Sequence, residues 1–127
     1  MIVDSSALLA MVLGESDADR YASVLFSSRK RHISAATMVE VRMVAVRLGL
    51  LQELDELIEM SELEIVPVDE AQAKLAIEGF ERFGKGRHTA GLNYGDLFAY
   101  ALARSLGEPL LFKGADFART DVRVALA

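Results

Sequence analysis

The chain contains no cysteine. Disulfides and thiolate-ligated zinc are therefore excluded, and a reducing cytoplasm is the plain expectation. It also lacks low-complexity tracts, internal repeats and Pro/Gly-rich linkers, with only 2 prolines in 127 residues. One domain over 1–127, with a core of ordinary size, is expected. Asp4 interrupts the apolar N-terminus and no basic segment precedes it, which argues against a signal peptide. Glu40, Arg42 and Arg47 break the apolar stretch 38–51, so nothing reads as a membrane span. Neither histidine has metal-ligand spacing. Positive charge is scarce as well, with a formal net charge of −5. That balance disfavours a general nucleic-acid coat protein. It does not exclude an enzyme that holds a phosphodiester through metal ions and a small basic patch.

What is present is the composition of a compact fold, 52% hydrophobic and 26% charged. Residues 1–3 read as a short buried strand and 5–13 as a helix ended by Gly14. Asp17 is expected to cap a helix running to about residue 29. Residues 32–34 read as a strand, 37–48 as an apolar helix ended by Gly49, and 51–62 as a helix with an acidic face. A strand at 63–66 stops at Pro67, and a helix covers 69–83. Residues 84–91 form a polar, basic loop. A helix follows at 96–106, then a strand at 110–112 and an edge strand at 122–125. Short strands alternating with helices point to a parallel sheet covered on both faces.

Four acids stand in unusual places. Asp4 ends the first strand, where α/β proteins position their chemistry, although Asp is also a favoured helix cap. Glu40 has Ala36, Thr37, Met43 and Val44 as helical neighbours and no cation among them. An unpaired carboxylate on that face is costly, so it reads either as a salt bridge to a distant Arg or as a metal ligand. Asp96 opens an almost wholly apolar helix, and Asn93 competes with it for the cap. Asp116 lies in a tight turn after a strand, with Asp121 nearby as a competitor. Placed together at one sheet edge, four carboxylates repel unless cations neutralise them. Oxygen-only ligation favours Mg²⁺ or Mn²⁺. The acids between residues 53 and 64 read as a solvated face.

The ordered segments Asp4-Ser5-Ser6-Ala7, Ala36-Thr37-Met38-Val39-Glu40, Leu92-Asn93-Tyr94-Gly95-Asp96 and Leu111-Phe112-Lys113-Gly114-Ala115-Asp116-Phe117 resemble a PIN-domain ribonuclease of the VapC toxin type. The resemblance covers essentially the whole chain. It implies an α/β, PIN-like three-layer sandwich, with a central mostly parallel sheet flanked by helices. It places the acidic quartet on Asp4, Glu40, Asp96 and Asp116 as catalytic and metal-binding residues. It puts Ser6 in a supporting hydroxyl position, and Asn93 and Thr120 at supporting polar positions. It further implies Mg²⁺-dependent hydrolysis of RNA, with Mn²⁺ as the alternative ion. The implied partners are a cognate antitoxin, operator DNA only through that antitoxin, and a second copy in a homodimer.

Arg82, Lys85, Arg87 and His88 are candidate RNA contacts beside the acids, against a solvated loop as the plain alternative. Residues 29–32 form a second basic patch, for which solvation is the favoured reading. Two other functions stay open. A haloacid-dehalogenase-like phosphatase would use Asp4 as nucleophile, Lys113 as cation and Asp116 with Asp121 as metal ligands. Ser6 stands where that class has a second Asp, and Glu40 would have no role. A catalytically silent PIN module that only binds partners is the other alternative.

Overall fold

The structure, a computed structural model, describes residues 1–126. Residue 127, the last of the expected domain, lies outside the described residues. Four strands form one sheet: β1 (Ile2–Val3), β2 (His32–Ser34), β3 (Glu64–Val66) and β4 (Leu110–Leu111). Their spatial order is β3-β2-β1-β4 and every pairing is parallel. Six helices accompany them: α1 (Ser5–Val12), α2 (Ala18–Ser27), α3 (Ala35–Leu48), α4 (Leu51–Ser61), α5 (Glu70–Phe83) and α6 (Tyr94–Leu106). None of the described helices is long and apolar enough to cross a membrane.

The strands are short, but their side chains serve two cores. Ile2 and Leu110 join Leu97, Tyr100, Leu102 and Phe83 in a cluster supplied by α5 and α6. Val3 and Leu111, one residue along each strand, join Leu8, Leu25, Met38 and Leu54 from α1 to α4 on the opposite face. Alternate side chains of a strand point to opposite faces, so two residues suffice to tie both helical layers to the sheet. All four are fully buried, each worth about 1.5–3 kcal/mol. This is the expected three-layer sandwich. It is incomplete at the β3 edge, where Ile65 is exposed and the predicted two-sided cover fails.

Most helix and strand ends fall within two residues of the expected ones. The differences have local causes. α3 begins at Ala35 because the Ser34 side chain accepts a hydrogen bond from the Ala36 N–H at 3.3 Å. α6 begins at Tyr94 because Asn93 is its cap. Asp17 occupies the start of α2 but makes no capping bond, being drawn to Lys113 instead. The expected edge strand at 122–125 is reduced to one parallel bridge, Leu110 to Val124.

The strand order positions the site. From β1 the chain builds outward through β2 to β3, then returns to place β4 on the other side of β1. The carboxyl end of β1 beside β4 is therefore the switch point, where such sheets open a crevice. Asp4 stands there, its N–H donating to Leu111 O at 3.0 Å.

Candidate active site

Asp4 leaves β1 in extended backbone and caps α1. Its Oδ2 accepts from the Ser6 N–H at 3.0 Å and from Ser6 Oγ at 2.5 Å. Ser6 Oγ in turn accepts from the backbone N–H of Lys113 at 2.9 Å, so the hydroxyl is oriented from both sides. The other carboxylate oxygen, Oδ1, is buried and has no hydrogen-bond partner. Burial pushes the Asp4 carboxyl above the usual range; the Ser6 hydrogen bonds pull it down, and the charge on Glu40 pushes it up again.

Glu40 projects from α3 towards Asp4. Its Oε1 accepts from Ser5 Oγ at 2.9 Å. The expectation that this carboxylate needs either an Arg or a metal overlooked the hydroxyl beside Asp4. Asp96 sits in the first turn of α6, inside a capping box. Asn93 Oδ1 accepts from the Asp96 N–H, and Asp96 Oδ2 accepts from the Asn93 N–H. Asn93 caps the helix without freeing Asp96, which keeps one oxygen for other work. Burial raises the Asp96 carboxyl to about 7, the Asn93 N–H opposes this, and the charges on Asp4, Asp116 and Glu40 add to the rise. One carboxyl thus feels the other three, which places the four acids in one electrostatic neighbourhood.

Asp116 is exposed in the turn after Gly114, whose φ of 112° suits glycine, and it makes no capping bond. Its competitor Asp121 is already committed. It accepts from Arg82 at 3.0 Å, Arg104 at 2.8 Å and the Tyr100 hydroxyl at 3.0 Å. Of the two, it is Asp116 whose charge is among the main ones raising Asp96. Thr120 Oγ1 donates to Phe117 O at 2.7 Å and closes the turn, which is a folding role.

The basic loop is less uniform than its sequence. Arg82 belongs to the Asp121 network and lies over the Phe83 ring. Arg87 donates to Glu81 O and lies over the Phe80 ring, and His88 Nδ1 accepts from the Ala90 N–H. Lys85 is exposed. Arg119 donates to Thr89 O, fastening the loop to the turn that carries Asp116. Arg31, in the second basic patch, is a structural cation that bonds Leu25 O, Phe26 O and Ser61 O.

Sequence reasoning gave no site role to Ser5 or Gly95, and considered Lys113 only as a phosphatase cation. Ser5 was visible only as a neighbour of Asp4. The backbone of Lys113 reaches Ser6 across 107 positions, which no local pattern signals. Thr37 was likewise missed; its hydroxyl is fully buried and unpaired at the start of α3. The phosphatase alternative fails on this geometry. The Lys113 ammonium is held by Glu15 and Asp17, and three donors claim Asp121.

The donor set suits a hard divalent cation. It is all oxygen, and the orphaned Oδ1 of Asp4 is a buried acceptor wanting a positive partner. Arg42, Lys74, Arg82, Arg104 and Lys113 pair with Asp55, Glu70, Asp121, Glu15 and Asp17, which all lie outside the quartet. Among the described residues no three His, Asp or Glu side chains form a ready-made metal cluster.

Comparison with known proteins agrees with this layout. The PIN-domain family profile matches residues 1–123. The chain is 42% identical to ribonuclease VapC30 of Mycobacterium tuberculosis, over 96% of this chain and 95% of that protein. It is 45% identical to ribonuclease VapC28 of the same species, over 99% and 98%. In fold it is similar to M. tuberculosis VapC20, described as a sarcin-ricin loop cleaving toxin, with a TM-score of 0.76, 14% identity and 95% of each chain covered. It is also similar to a chain of a toxin–antitoxin complex from Klebsiella pneumoniae, with a TM-score of 0.71, 18% identity and 94% and 92% coverage. A family profile over residues 1–123 and relatives 42% and 45% identical along nearly the whole chain show that the chain belongs to the PIN-domain family, among the VapC ribonucleases.

Proposed function

We propose that this protein is the ribonuclease toxin of a type II toxin–antitoxin pair and hydrolyses RNA phosphodiester bonds at the Asp4, Glu40, Asp96 and Asp116 quartet. The observation that carries the reading is the buried, unpartnered Oδ1 of Asp4 within reach of the charges of Glu40 and Asp96. Mg²⁺ is the proposed ion and Mn²⁺ the alternative. Such a cation, when bound, supplies Lewis-acid activation of water and charge stabilisation at the phosphate. The protein's part is to hold the donors. Ser6 and the Lys113 N–H fix Asp4, Ser5 fixes Glu40, and Asn93 fixes Asp96. The Asp96 carboxyl at about 7 is poised to gain or lose a proton near neutrality, while a cation would hold it ionised. Lys85, Arg87 and His88 are the proposed phosphate contacts, and Arg82 is withdrawn from that set.

An antitoxin is the proposed inhibitor, reaching operator DNA on the toxin's behalf, in the cytoplasm. A homodimer is proposed through the face where α6 lies between α3 and α5. Val39, Met43, Ile77 and Tyr94 are 58%, 60%, 58% and 78% exposed there. Contiguous exposed apolar surface of this kind marks interfaces. Size-exclusion chromatography with light scattering tests the dimer, and a monomer would remove that part of the proposal. The test of the activity is cleavage of RNA by purified protein with Mg²⁺, with chelator, and with Asp96→Asn. Cleavage requires both the metal and the carboxylate; full activity in chelator, or in the variant, refutes the assignment.

A further inference from the structure

Gly95 is the second residue of α6 and its φ is not positive. The backbone there would accept any L-residue, and a helical glycine is entropically unfavourable relative to alanine. Its reason lies in space. A Cβ at this position would fall 1.7 Å from Glu40 Oε2, 2.5 Å from its Cδ and 2.9 Å from Oε1. All three nearest atoms are one carboxylate; none is backbone. Gly79 on α5 makes a contrast, since there a Cβ would meet the Tyr100 ring at 2.6 Å, an ordinary packing constraint.

We propose that Gly95 is a positioning residue: by lacking a side chain it opens the slot through which the Glu40 carboxylate reaches the first turn of α6, beside Asp96. The slot has two walls. Ser5 Oγ, at the start of α1, holds Oε1 at 2.9 Å, and the bare Cα of Gly95 receives Oε2 on the other side. The carboxylate is therefore clamped between the first turns of α1 and α6, where the helix dipoles favour a negative charge. From there its charge reaches both Asp4 and Asp96. On its open side lies a groove of about 540 Å³ lined by Met43, Tyr94 and Phe98 among others. An alanine at 95 would meet the end of a flexible side chain that has this groove to move into. The fold survives and the carboxylate is displaced. The functional half of the inference rests on the proposed metal-dependent activity; the steric half does not.

The experiment is a double-substitution cycle with Gly95→Ala and Glu40→Ala, read first by thermal unfolding without metal. With Glu40 removed, Gly95→Ala raises Tm, as helix propensity dictates. With Glu40 present, that gain is lost or reversed. Effects that simply add across the cycle overturn the proposal, as does an equal fall in Tm in both backgrounds, which would make Gly95 a general packing requirement. A second readout is the Tm increase caused by Mg²⁺ or Mn²⁺. Gly95→Ala alone reduces it and lowers RNA cleavage by about 100-fold, the scale of a misplacement near 1 Å. If the metal-free cycle shows coupling but neither protein responds to metal, the positioning role stands and the proposed function falls. If metal response and cleavage persist unchanged in folded Gly95→Ala protein, the positioning role falls.

Discussion

Replacing Asp4 by Asn trades activity for stability. The side chain is 2% exposed, Oδ2 is satisfied by Ser6, and Oδ1 has no partner. An unsatisfied buried polar group costs about 1–3 kcal/mol, more when charged. Asn removes the charge and retains an acceptor for the cap. Its NH₂ inherits the vacant position, so the net gain without metal is at the low end, about 1 kcal/mol. For a chain of this size that is a Tm increase of about 4 °C. The pH dependence has a definite sign. Burial raises the folded-state pKa of Asp4 above the ordinary 3.8. The folded protein therefore keeps a proton that the unfolded chain has lost, and charging Asp4 costs stability as pH rises above that value. The advantage of the Asp4→Asn variant is accordingly larger at pH 7 than at pH 4. Metal reverses the ranking. Mg²⁺ at 100 times its Kd stabilises the wild type by about 2.7 kcal/mol, and the variant loses most of this. Calorimetry in chelator and in Mg²⁺, at both pH values, measures every term. A lower Tm for Asp4→Asn in chelator, or equal stabilisation of both proteins by Mg²⁺, refutes the reasoning.

Asp116→Asn and Asp121→Asn separate the two competing acids. The first abolishes most RNA cleavage at unchanged Tm. The second lowers stability by about 1 kcal/mol at a partly exposed site, because Arg82 and Arg104 lose the negative charge they share and one of the two acceptor oxygens becomes an NH₂, while Mg²⁺-induced stabilisation persists. Gly79→Ala forces a methyl against the Tyr100 ring and costs about 1–3 kcal/mol in denaturant unfolding, with the metal response intact. Asp96, raised by burial from 3.8 to about 7, makes the metal-free protein lose stability as pH rises through that window and level off above it. Saturating Mg²⁺ removes the slope, and urea titrations across pH 4–8 with and without metal record both behaviours.

The fold was legible because its signals are local. Gly49 and Gly107 stop α3 and α6 in left-handed backbone, and short apolar runs such as residues 1–3 and 110–112 mark strands. The acids were legible as misfits: Asp4 at a strand end, Glu40 on an apolar helix. What escaped was set by contacts distant in sequence. Asp17 read as a cap, but Lys113, 96 positions away, captures it. Arg82 read as an RNA contact, but Asp121, 39 positions away, claims it and leaves Asp116 as the acid beside Asp96. Glu40 read as an acid in need of a cation because Ser5 and Gly95 meet it only in the folded state. The exposed side of Ile65 was hidden for a similar reason, since an apolar strand does not reveal whether it lies at the edge of its sheet.

The hydrogen bond from the Lys113 N–H to Ser6 and the one from the Asp4 N–H to Leu111 join the beginning of the chain to its last strand. During translation the residues of β1 leave the ribosome long before those of β4 exist. A nascent chain thus carries Asp4 without the pairing that holds it, and pairing across so long a separation is slow to form. The order of synthesis itself delays assembly of the acidic centre until β4 and the turn after it have been made. For an enzyme whose substrate is RNA, the ribosome that produces it is thereby spared an active nuclease emerging half-built from its own exit tunnel.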